Sequence, residues 1–443
     1  MRKFGLFAVL VAVCVPAPWY WTLASQHDAL AMFSQYIGSV ALILMGISQL
    51  LATRWPGLET VFGGLDRIYV LHKWLGIGAI AAVLLHDTID ADVAGIGRET
   101  LLTDIAETLG EVSLYGLLIL VVLSIATFVP YHLWKYTHKV MGAFFAASAL
   151  HYVFILKPFD LTDPVGIYVL AFCILGVVCY LYTLLPYGTL RARHAYRVSD
   201  IRETGDALAV TLTPERKGIC HRPGQFAFVS FAAPGLREPH AFTISAAPRD
   251  GAVRFTIKKL GDYTSRLAKH LKVDDRAQLD GGYGHFQHRN HGGTDIWIAG
   301  GIGITPFAAF AEAFQGSGSR PAHLFHCVRN AGAAAHRAEL EELAQRDENF
   351  SYHLIAGDKR SRLTVQEIVN TVGEEAANLR VYFCGPEAMR KAMLEDFRRA
   401  GLRAAHFHYE EFEIRSGVGL RRLLGWLLPK LKPVLMPVRT ASH

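Results

Sequence analysis

The pattern of hydrophobic positions divides the chain near residue 190. Before that point lie six apolar stretches, each close to the length of about 20 residues that a helix needs to cross a bilayer. They cover residues 4–24, 31–51, 69–89, 112–129, 136–156 and 165–185. The pattern predicts a six-helix transmembrane bundle within a domain of residues 1–190.

The first apolar stretch has two interpretations. Arg2 and Lys3 ahead of an apolar run are also typical of a secretory signal. However, the apolar run continues beyond Pro16 and Pro18, and no clear small-residue cleavage site precedes polar sequence. These observations favour a retained helix.

The charges of the connecting segments predict an orientation in the membrane. Basic residues such as Arg54, Arg67, Lys135 and Lys139 fall on one side, whereas segment 87–111 carries seven acidic residues and one basic residue. Because cytoplasmic loops are enriched in Lys and Arg, we expect both termini in the cytoplasm and an acidic loop, 87–111, outside. The lack of eukaryotic targeting motifs favours a bacterial inner membrane.

After residue 190 the hydrophobic runs are short and are separated by turn residues. Segments 207–213, 225–231, 252–260 and 276–280 have strand-like runs, punctuated by Pro-Gly or Asp-Gly pairs. From residue 295 onward, strand-like and helical runs alternate, which is typical of a parallel α/β sheet. The basic, apolar tail at 416–443 could lie on the inner membrane face or could be an ordinary frayed C-terminus.

The composition excludes several classes of protein. Of the 443 residues, 51% are hydrophobic and 19% are charged, which excludes a disordered chain. The net charge of +6 is small and dispersed, so we expect no nucleic-acid partner. The six cysteines form no C-x-x-C pair, which argues against zinc ribbons, iron–sulfur clusters and a disulfide framework.

Paired histidines are the strongest chemical signal in the membrane half. His72 and His86 lie at the ends of the third apolar stretch, and His138 and His151 lie at the ends of the fifth. Ionisable residues inside membrane spans are costly and are usually functional, and imidazole is a common ligand of haem iron. A single such histidine would more often be a packing or helix-end residue, but two pairs favour iron ligands.

The spacing of these histidines suits two stacked haems. Separations of 14 and 13 residues at 1.5 Å per residue place each pair about 20 Å apart along its helix, within a hydrocarbon core of about 30 Å. The third and fifth spans run in the same direction, so we expect His72 to pair with His138 near the cytoplasm. His86 would then pair with His151 near the outside.

One angular detail does not fit a straight fifth helix. Fourteen residues return to within about 40° of the starting face, but thirteen leave an offset of about 140°. We therefore expect the fifth span to be wound or bent locally, for which Gly142 is the candidate, or its two histidines to approach their irons from different sides.

Four short motifs follow one another in the second half. They are H-A-F-T-I-S at 240–245, K-K-L-G-D-Y-T-S at 258–265, G-G-I-G-I-T-P at 300–306 and C-G-P-E at 384–387. Glycine and hydroxyl residues where a helix begins can bind a phosphate through backbone donors and the helix dipole. The last motif ends a predicted strand, at the sheet edge where open α/β sheets bind ligands.

The order of these motifs resembles the ferredoxin–NADP reductase-type flavoprotein module. Joined to six spans with two histidine pairs, the chain is similar to the ferric reductase / NADPH oxidase superfamily over residues 1–415. The resemblance implies an antiparallel β-barrel FAD domain at 191–292 and an α/β NAD(P)H-binding domain at 293–415. It also implies FAD, two b-type haems and NADPH as cofactors, with NADH as the alternative nucleotide.

The resemblance also implies roles for individual residues. On the isoalloxazine and ribityl side of FAD it places His240, Phe242, Thr243 and Ser245, and on the FAD phosphates Lys258, Thr264 and Ser265. In the nicotinamide-nucleotide loop it places Gly301, Gly303, Thr305 and Pro306, with Cys384, followed by Gly385 and Pro386, beside the nicotinamide. Arg329 and Arg362 match positions that meet the ribose 2′-phosphate, although either could be solvated surface, and Phe412 is the candidate aromatic over the flavin.

The implied function is electron transfer from cytoplasmic NADPH through FAD and the two haems to an extracytoplasmic acceptor. The acidic loop favours ferric or cupric ions or their chelates, although outer loops are in any case poor in Lys and Arg. Superoxide formation from O2 is one alternative, but Asp90 and an Arg-free second span depart from the pattern of superoxide-forming relatives. A haem-bearing electron-transfer subunit for an extracytoplasmic partner protein is the other.

One further residue departs from the pattern of the family. In the predicted flavin strand, Ala241 replaces the family's usual Pro.

Overall fold

The computed structural model describes residues 3–89, 93, 96–98, 100–125, 129, 131–185, 194–288, 294–314, 321–358 and 362–410. The described residues form two compact units, one that ends at residue 185 and one that covers residues 194–410. The helices of the first unit are α1 (Lys3–Cys14), α2 (Ala17–Leu23), α3 (Ala29–Ala52), α4 (Pro56–Phe62), α5 (Leu65–Thr88), α6 (Leu101–Ile125), α7 (Tyr131–Phe154) and α8 (Pro164–Leu184).

Helices lie at all six predicted apolar stretches. Among the described residues, five segments are long and apolar enough to cross a membrane: Lys3–Leu23, Ala29–Ala52, Leu65–Thr88, Leu101–Ser124 and Pro164–Leu184. The remaining helix, α7, is 24 residues long but carries Lys135 and Lys139 besides its histidines. The predicted run of N-terminal apolar helices is confirmed.

The expected acidic loop at 87–111 is wrong in its second half. Helix α6 begins at Leu101, so Asp104, Glu107 and Glu111 lie on a helix. Thr100 and Thr103 explain the early start, because the Thr100 amide donates to Thr103 Oγ1 at 2.8 Å and the Thr103 amide donates to Thr100 Oγ1 at 3.4 Å. Acidic side chains are also favourable near a helix N-terminus. Asp90, Asp92 and Glu99 lie outside the described residues.

Gly142 does not interrupt α7, which is α-helical from Tyr131 to Phe154. Its lack of a side chain instead lets α8 approach, since a Cβ there would lie 2.0 Å from Cδ2 of Tyr180. Small residues allow helices in membranes to pack closely. The expectation of a local change of winding at Gly142 is therefore wrong, whereas a bend of this helix and an approach of its histidines from different sides stay predictions.

The first part of the second unit is a curled antiparallel sheet. Its described strands are β1 (His194–Thr204), β2 (Ala207–Pro214), β3 (Phe226–Phe231), β4 (His240–Thr243), β5 (Val253–Lys258) and β6 (Arg276–Tyr283), in the order β4-β3-β6-β1-β2-β5. Ile244, directly after β4, forms a bridge to Phe255 of β5, so the two edges of the sheet meet. The resulting half-barrel encloses buried side chains that include Tyr196 and Phe231, and α9 (Asp262–His270) follows β5.

The second part of this unit is a parallel sheet with helices. The described strands are β7 (Asp295–Gly300), β8 (Ala322–Val328), β9 (Phe350–Ala356), β10 (Arg380–Cys384) and β11 (Phe407–Tyr409), in the order β11-β10-β7-β8-β9. The helices are α10 (Thr305–Glu312), α11 (Arg337–Arg346), α12 (Val365–Val372) and α13 (Glu387–Arg399). Strands β8 and β9 lie on one side of β7, whereas the later strands β10 and β11 lie on the other side of β7. The direction in which strands are added therefore reverses between β7 and β10, and this position is the switch point of the sheet. Ligands of open α/β sheets bind at such a point.

Candidate functional site

The two histidines of α5 are held by α3 in the same way. Nδ1 of His72 lies 2.9 Å from the carbonyl oxygen and 2.8 Å from the hydroxyl of Ser48. Nδ1 of His86 lies 2.9 Å from the carbonyl oxygen and 3.0 Å from the hydroxyl of Ser34. The two serines, like the two histidines, are 14 residues apart, so one pattern of contacts occurs twice along a pair of helices.

The two histidines of α7 are held by α6. Nδ1 of His151 lies 2.8 Å from the carbonyl oxygen of Ala106, and Nδ1 of His138 lies 3.2 Å from the hydroxyl of Ser124. Eighteen residues separate Ala106 from Ser124, which is five full turns of an α-helix. One face of α6 therefore holds both imidazoles despite their 13-residue spacing.

These hydrogen bonds determine which ring nitrogen is available to a metal. A carbonyl oxygen only accepts, so Nδ1 of His72, His86 and His151 carries the proton and Nε2 keeps its lone pair. Metal-ligating histidines are characteristically held in this manner, with the other ring nitrogen donating to a carbonyl or similar acceptor.

The distance between facing imidazoles suits an ion between them. The ring centroids of His72 and His138 are 5.9 Å apart, with an interplanar angle of 67°. Metal–nitrogen bonds of about 2 Å on each side would separate two ring centroids by about 6 Å. Among the described residues there is no group of three or more side chains that could hold a metal ion.

Glycines make room around the histidines. A Cβ at Gly38 of α3 would lie 3.2 Å from the His86 ring, and one at Gly110 of α6 would lie 2.8 Å from Nδ1 of His151. Gly76, one turn after His72, faces open space, since apart from its own helix backbone no described atom lies within 4 Å of the position of a Cβ. The residues present therefore fit a flat group bound beside α5.

The predicted flavin residues lie together on β4 and the segment that follows it. His240 stacks on Tyr263 of α9 with ring centroids 3.6 Å apart, and half-buried Phe242 lies 6.3 Å from the His240 ring. Burial raises the pKa of Tyr263 above its ordinary value. Thr243 is buried and pairs with Phe226 across the sheet. This aromatic cluster is a surface on which a planar ring can stack.

Ser245 is fully buried and takes part in a chain of hydrogen bonds between the two sheets. Its hydroxyl lies 2.8 Å from Thr256 Oγ1, which lies 2.7 Å from Nε2 of His336. Nδ1 of His336 is 2.9 Å from the Glu339 carboxylate, and this hydrogen bond lowers the pKa of Glu339. His336 was missed in the sequence, because a histidine at the start of α11 has no local pattern to distinguish it.

The residues predicted for the FAD phosphates surround the start of α9. Lys258 forms an ion pair with Asp206. Thr264 Oγ1 accepts from the amides of Leu260 at 2.9 Å and Gly261 at 3.1 Å, which caps the helix. Ser265 is half-buried one residue further on. Thr264 and Ser265 thus lie in the first turn of α9, where the helix dipole favours an anion, whereas the Lys258 ammonium is engaged by Asp206.

The glycine loop and the C-G-P motif meet at the switch point. A Cβ at Gly303 would lie 2.1 Å from the carbonyl oxygen of Cys384, and one at Gly385 would lie 2.9 Å from Cα of Gly300. Thr305 and Pro306 begin α10 and are buried. Gly301 has φ +57°, which favours glycine, and no described atom lies within 4 Å of its Cβ position. The loop is thus packed on one side and open on the other.

Two buried groups support this loop. Nε2 of His326, on β8, lies 3.2 Å from the carbonyl oxygen of Gly301, and its Nδ1 lies 3.0 Å from the Tyr352 hydroxyl. Burial lowers the pKa of His326 to about 4, so the neutral ring donates from Nε2 and accepts at Nδ1. Burial, together with Glu410, raises the pKa of the Cys384 thiol well above its ordinary value. The supporting role of His326 was not predicted.

The remaining predicted site residues lie at the surface or outside the described part. Arg329 directly follows β8 and Arg362 precedes α12, and both are exposed. The carbonyl oxygen of Arg329 accepts from the Asp358 amide at 3.0 Å, which ties the ends of β8 and β9 together. Phe412 lies outside the described residues.

Comparison with known families and proteins agrees with this arrangement. The family described as ferric reductase like transmembrane component matches residues 37–149, an FAD-binding domain matches 194–293, and an oxidoreductase NAD-binding domain matches 297–395. The fold and the comparisons thus define a membrane oxidoreductase with FAD- and NAD(P)H-binding domains. The order of these three domains matches the architecture of the ferric reductase / NADPH oxidase type, and it supports an NAD(P)H-dependent oxidoreductase.

Individual relatives match mainly the second half. The toluate 1,2-dioxygenase electron transfer component of Pseudomonas putida is 30% identical over 234 residues, 51% of this chain and 69% of its own. A flavohemoprotein of Chromobacterium violaceum is 26% identical, covering 44% of this chain and 54% of its own. The crystal structure of the Amycolatopsis cytochrome P450 reductase GcoB covers 50% of this chain and 70% of its own at 22% identity, with a TM-score of 0.45. The chain thus spans 54% to 69% of the length of these two curated relatives.

Proposed function

We propose that this protein passes electrons from cytoplasmic NADPH across the membrane to an extracytoplasmic acceptor, with FAD and two b-type haems as its cofactors. The acceptor we propose is a ferric or cupric ion or its chelate. The observation that carries the proposal is the anchoring of four histidines, each by its Nδ1, on a neighbouring helix. The proposed orientation is multi-pass, in a bacterial inner membrane, with both termini in the cytoplasm.

The residues of the chain have the following proposed roles. His72 and His138 hold the inner haem, and His86 and His151 hold the outer haem. The residues proposed to bind FAD are His240, Phe242, Thr243, Ser245, Lys258, Thr264, Ser265 and Phe412. The residues proposed to bind NADPH are Gly301, Gly303, Thr305, Pro306, Arg329, Arg362, Cys384, Gly385 and Pro386. When bound, these cofactors supply hydride acceptance and one-electron transfer, and the protein supplies orientation and electrostatics.

The chain's own groups support transfer without proton chemistry in the membrane half. His72 with His138, and His86 with His151, would supply two imidazoles to each haem iron, so that an external acceptor would not need to bind to the metal. The raised pKa of Cys384 keeps it a neutral thiol rather than a thiolate nucleophile.

The membrane potential also favours this direction of transfer. An inside-negative potential favours outward electron movement by about 2.3 kcal/mol per 100 mV.

Charge at the outer end favours a cationic acceptor. Asp104, Glu107 and Glu111 are exposed on the part of α6 that anchors His151 through Ala106. Clefts lined by one sign of charge raise the local concentration of counter-ions. This region of α6 would therefore attract a metal ion toward the His86–His151 pair.

The experiment uses the full chain in detergent, loaded with FAD and haem. NADPH oxidation is followed without oxygen, with a ferric chelate and then a cupric chelate, and separately in air with a superoxide probe. We expect chelate-dependent oxidation that His86→Ala abolishes while NADPH still reduces FAD. His27→Ala is the control, since His27 lies in the turn after α2.

Three results would contradict the proposal. Chelate reduction that persists at full rate in His86→Ala would mean that electrons bypass the outer pair. Superoxide production with no reduction of chelates would make O2 the acceptor. Fully reduced haems that transfer to no small acceptor would indicate a subunit that serves a partner protein.

A further inference from the structure

We propose that the Ser124 hydroxyl positions His138 and sets the redox potential of the haem held by His72 and His138, independently of the other haem. The inference rests on the proposed function, because it requires a haem at this pair. The observation behind it is a difference among the four histidines. In the described part of the chain, three Nδ1 atoms lie 2.8 to 2.9 Å from a backbone carbonyl oxygen, whereas that of His138 has a hydroxyl at 3.2 Å as its acceptor.

A hydroxyl is a weaker and less constrained acceptor than these carbonyl groups. A helical carbonyl oxygen is fixed by the backbone, whereas the Ser124 hydroxyl rotates and also lies 3.8 Å from the sulfur of Met141. A hydrogen bond from the second ring nitrogen raises the basicity of a metal-ligating histidine. His138 is therefore the least electron-rich of the four ligands.

The basicity of an axial ligand affects the iron it binds. A more electron-rich imidazole stabilises the ferric state and lowers the potential, and second-shell hydrogen bonds are a recognised means of tuning haem. The weak Ser124 bond keeps the potential of this haem above the value that a carbonyl acceptor would give. Removing the bond should raise the potential further.

The setting of His138 keeps the effect local. Trp134, one turn earlier on α7, stacks on the His138 ring with centroids 5.0 Å apart and an interplanar angle of 16°. The stack limits the movement of the ring, so the Ser124 contact acts mainly on the electronic character of the ligand. His86 and His151 contact other residues, Ser34 and Ala106, and their haem should not respond.

The test compares two variants of the same shape. Ser124→Thr keeps a hydroxyl, whereas Ser124→Val replaces it with a methyl group. The haem-loaded full chain is titrated spectroelectrochemically, and the titration is repeated in a His86→Ala background to show which potential belongs to the inner pair. Ser113→Ala is the control, because Ser113 lies on the same helix and its hydroxyl donates to the carbonyl oxygen of Phe144 on α7 at 2.9 Å.

We expect Ser124→Val to raise one of the two potentials, that of the His72–His138 haem, and Ser124→Thr and Ser113→Ala to leave both near the wild-type values. Loss of that haem in Ser124→Val but not in Ser124→Thr would also support the role of the hydroxyl. Unchanged potentials in Ser124→Val, equal shifts in the two Ser124 variants, or a shift of both haems would overturn the inference. A wild-type chain that binds no haem would instead contradict the proposed function, and this result is distinguishable from a failure of the inference about Ser124.

Discussion

The neutral form of His326 should make the nucleotide-binding sheet sensitive to acid. Burial lowers its pKa from 6.5 to about 4 in the folded protein. Below pH 6.5 the unfolded chain takes up a proton that the folded chain does not, so stability falls as the pH falls toward 4. One pKa unit corresponds to 1.36 kcal/mol, which gives a loss of about 2 kcal/mol between pH 7 and pH 5 and about 3 kcal/mol once pH 4 is passed.

Hydrogen exchange on the full chain, measured by mass spectrometry on peptides from 322–356, reports the opening free energy of this sheet. His326→Gln keeps an amide donor for Gly301 but does not titrate in this range. Other ionisable groups affect both proteins, so the difference between them isolates His326. We expect wild type to lose about 2 kcal/mol more than the variant between pH 7 and pH 5. Equal losses in the two proteins would refute the assignment of a neutral, buried His326.

Three further predictions test the remaining parts of the site. Gly303→Ala places a Cβ 2.1 Å from the carbonyl oxygen of Cys384, so the loop must move; we expect KM for NADPH to rise about tenfold or more with FAD content unchanged. Arg329→Ala removes the cation that we propose for the 2′-phosphate, and we expect the ratio of kcat/KM for NADPH over NADH to fall about tenfold. Gly110→Ala places a Cβ 2.8 Å from Nδ1 of His151, and we expect loss or displacement of the absorbance of one haem.

The two glycine substitutions have matched control variants, and each of the three predictions has a result that would contradict it. Gly332→Ala and Gly78→Ala each add a methyl group no closer than 3.5 Å to a described atom, and both should behave like wild type. An unaltered KM for NADPH in Gly303→Ala would mean that this glycine loop does not bind the nucleotide. A constant nucleotide preference in Arg329→Ala would mean that this exposed arginine does not meet the phosphate. Identical haem spectra for Gly110→Ala and wild type would remove His151 as a ligand.

The order of the domains and the type of each secondary-structure element were predictable from the sequence. Both depend on hydrophobic patterns over many residues, which a few exceptional residues do not obscure. Each of the six predicted apolar stretches coincides with helix, and the alternating strand and helix patterns predicted the parallel sheet. The start of α6 was missed because Asp104, Glu107 and Glu111 interrupt the hydropathy. The cap formed by Thr100 and Thr103, not hydropathy, determines where that helix begins.

The partners of the histidines were not predictable in the same way. Ser34 and Ser48 repeat the 14-residue spacing of His72 and His86, a signal present in the sequence, but serine in an apolar helix is ordinarily a small packing residue. The Ala106 contact uses a backbone carbonyl, which leaves no trace in the identity of the residue. Contacts between distant segments, such as Thr256 with His336, require the fold itself.

The most direct test of the account is the haem content of the purified, haem-replete protein. We predict two low-spin b-type haems per chain in wild type and one after His138→Ala or His151→Ala, with FAD retained in each. A wild-type protein without a Soret band, or a haem content unchanged by both substitutions, would contradict the claim that these four imidazoles hold the two haems that pass electrons through the membrane.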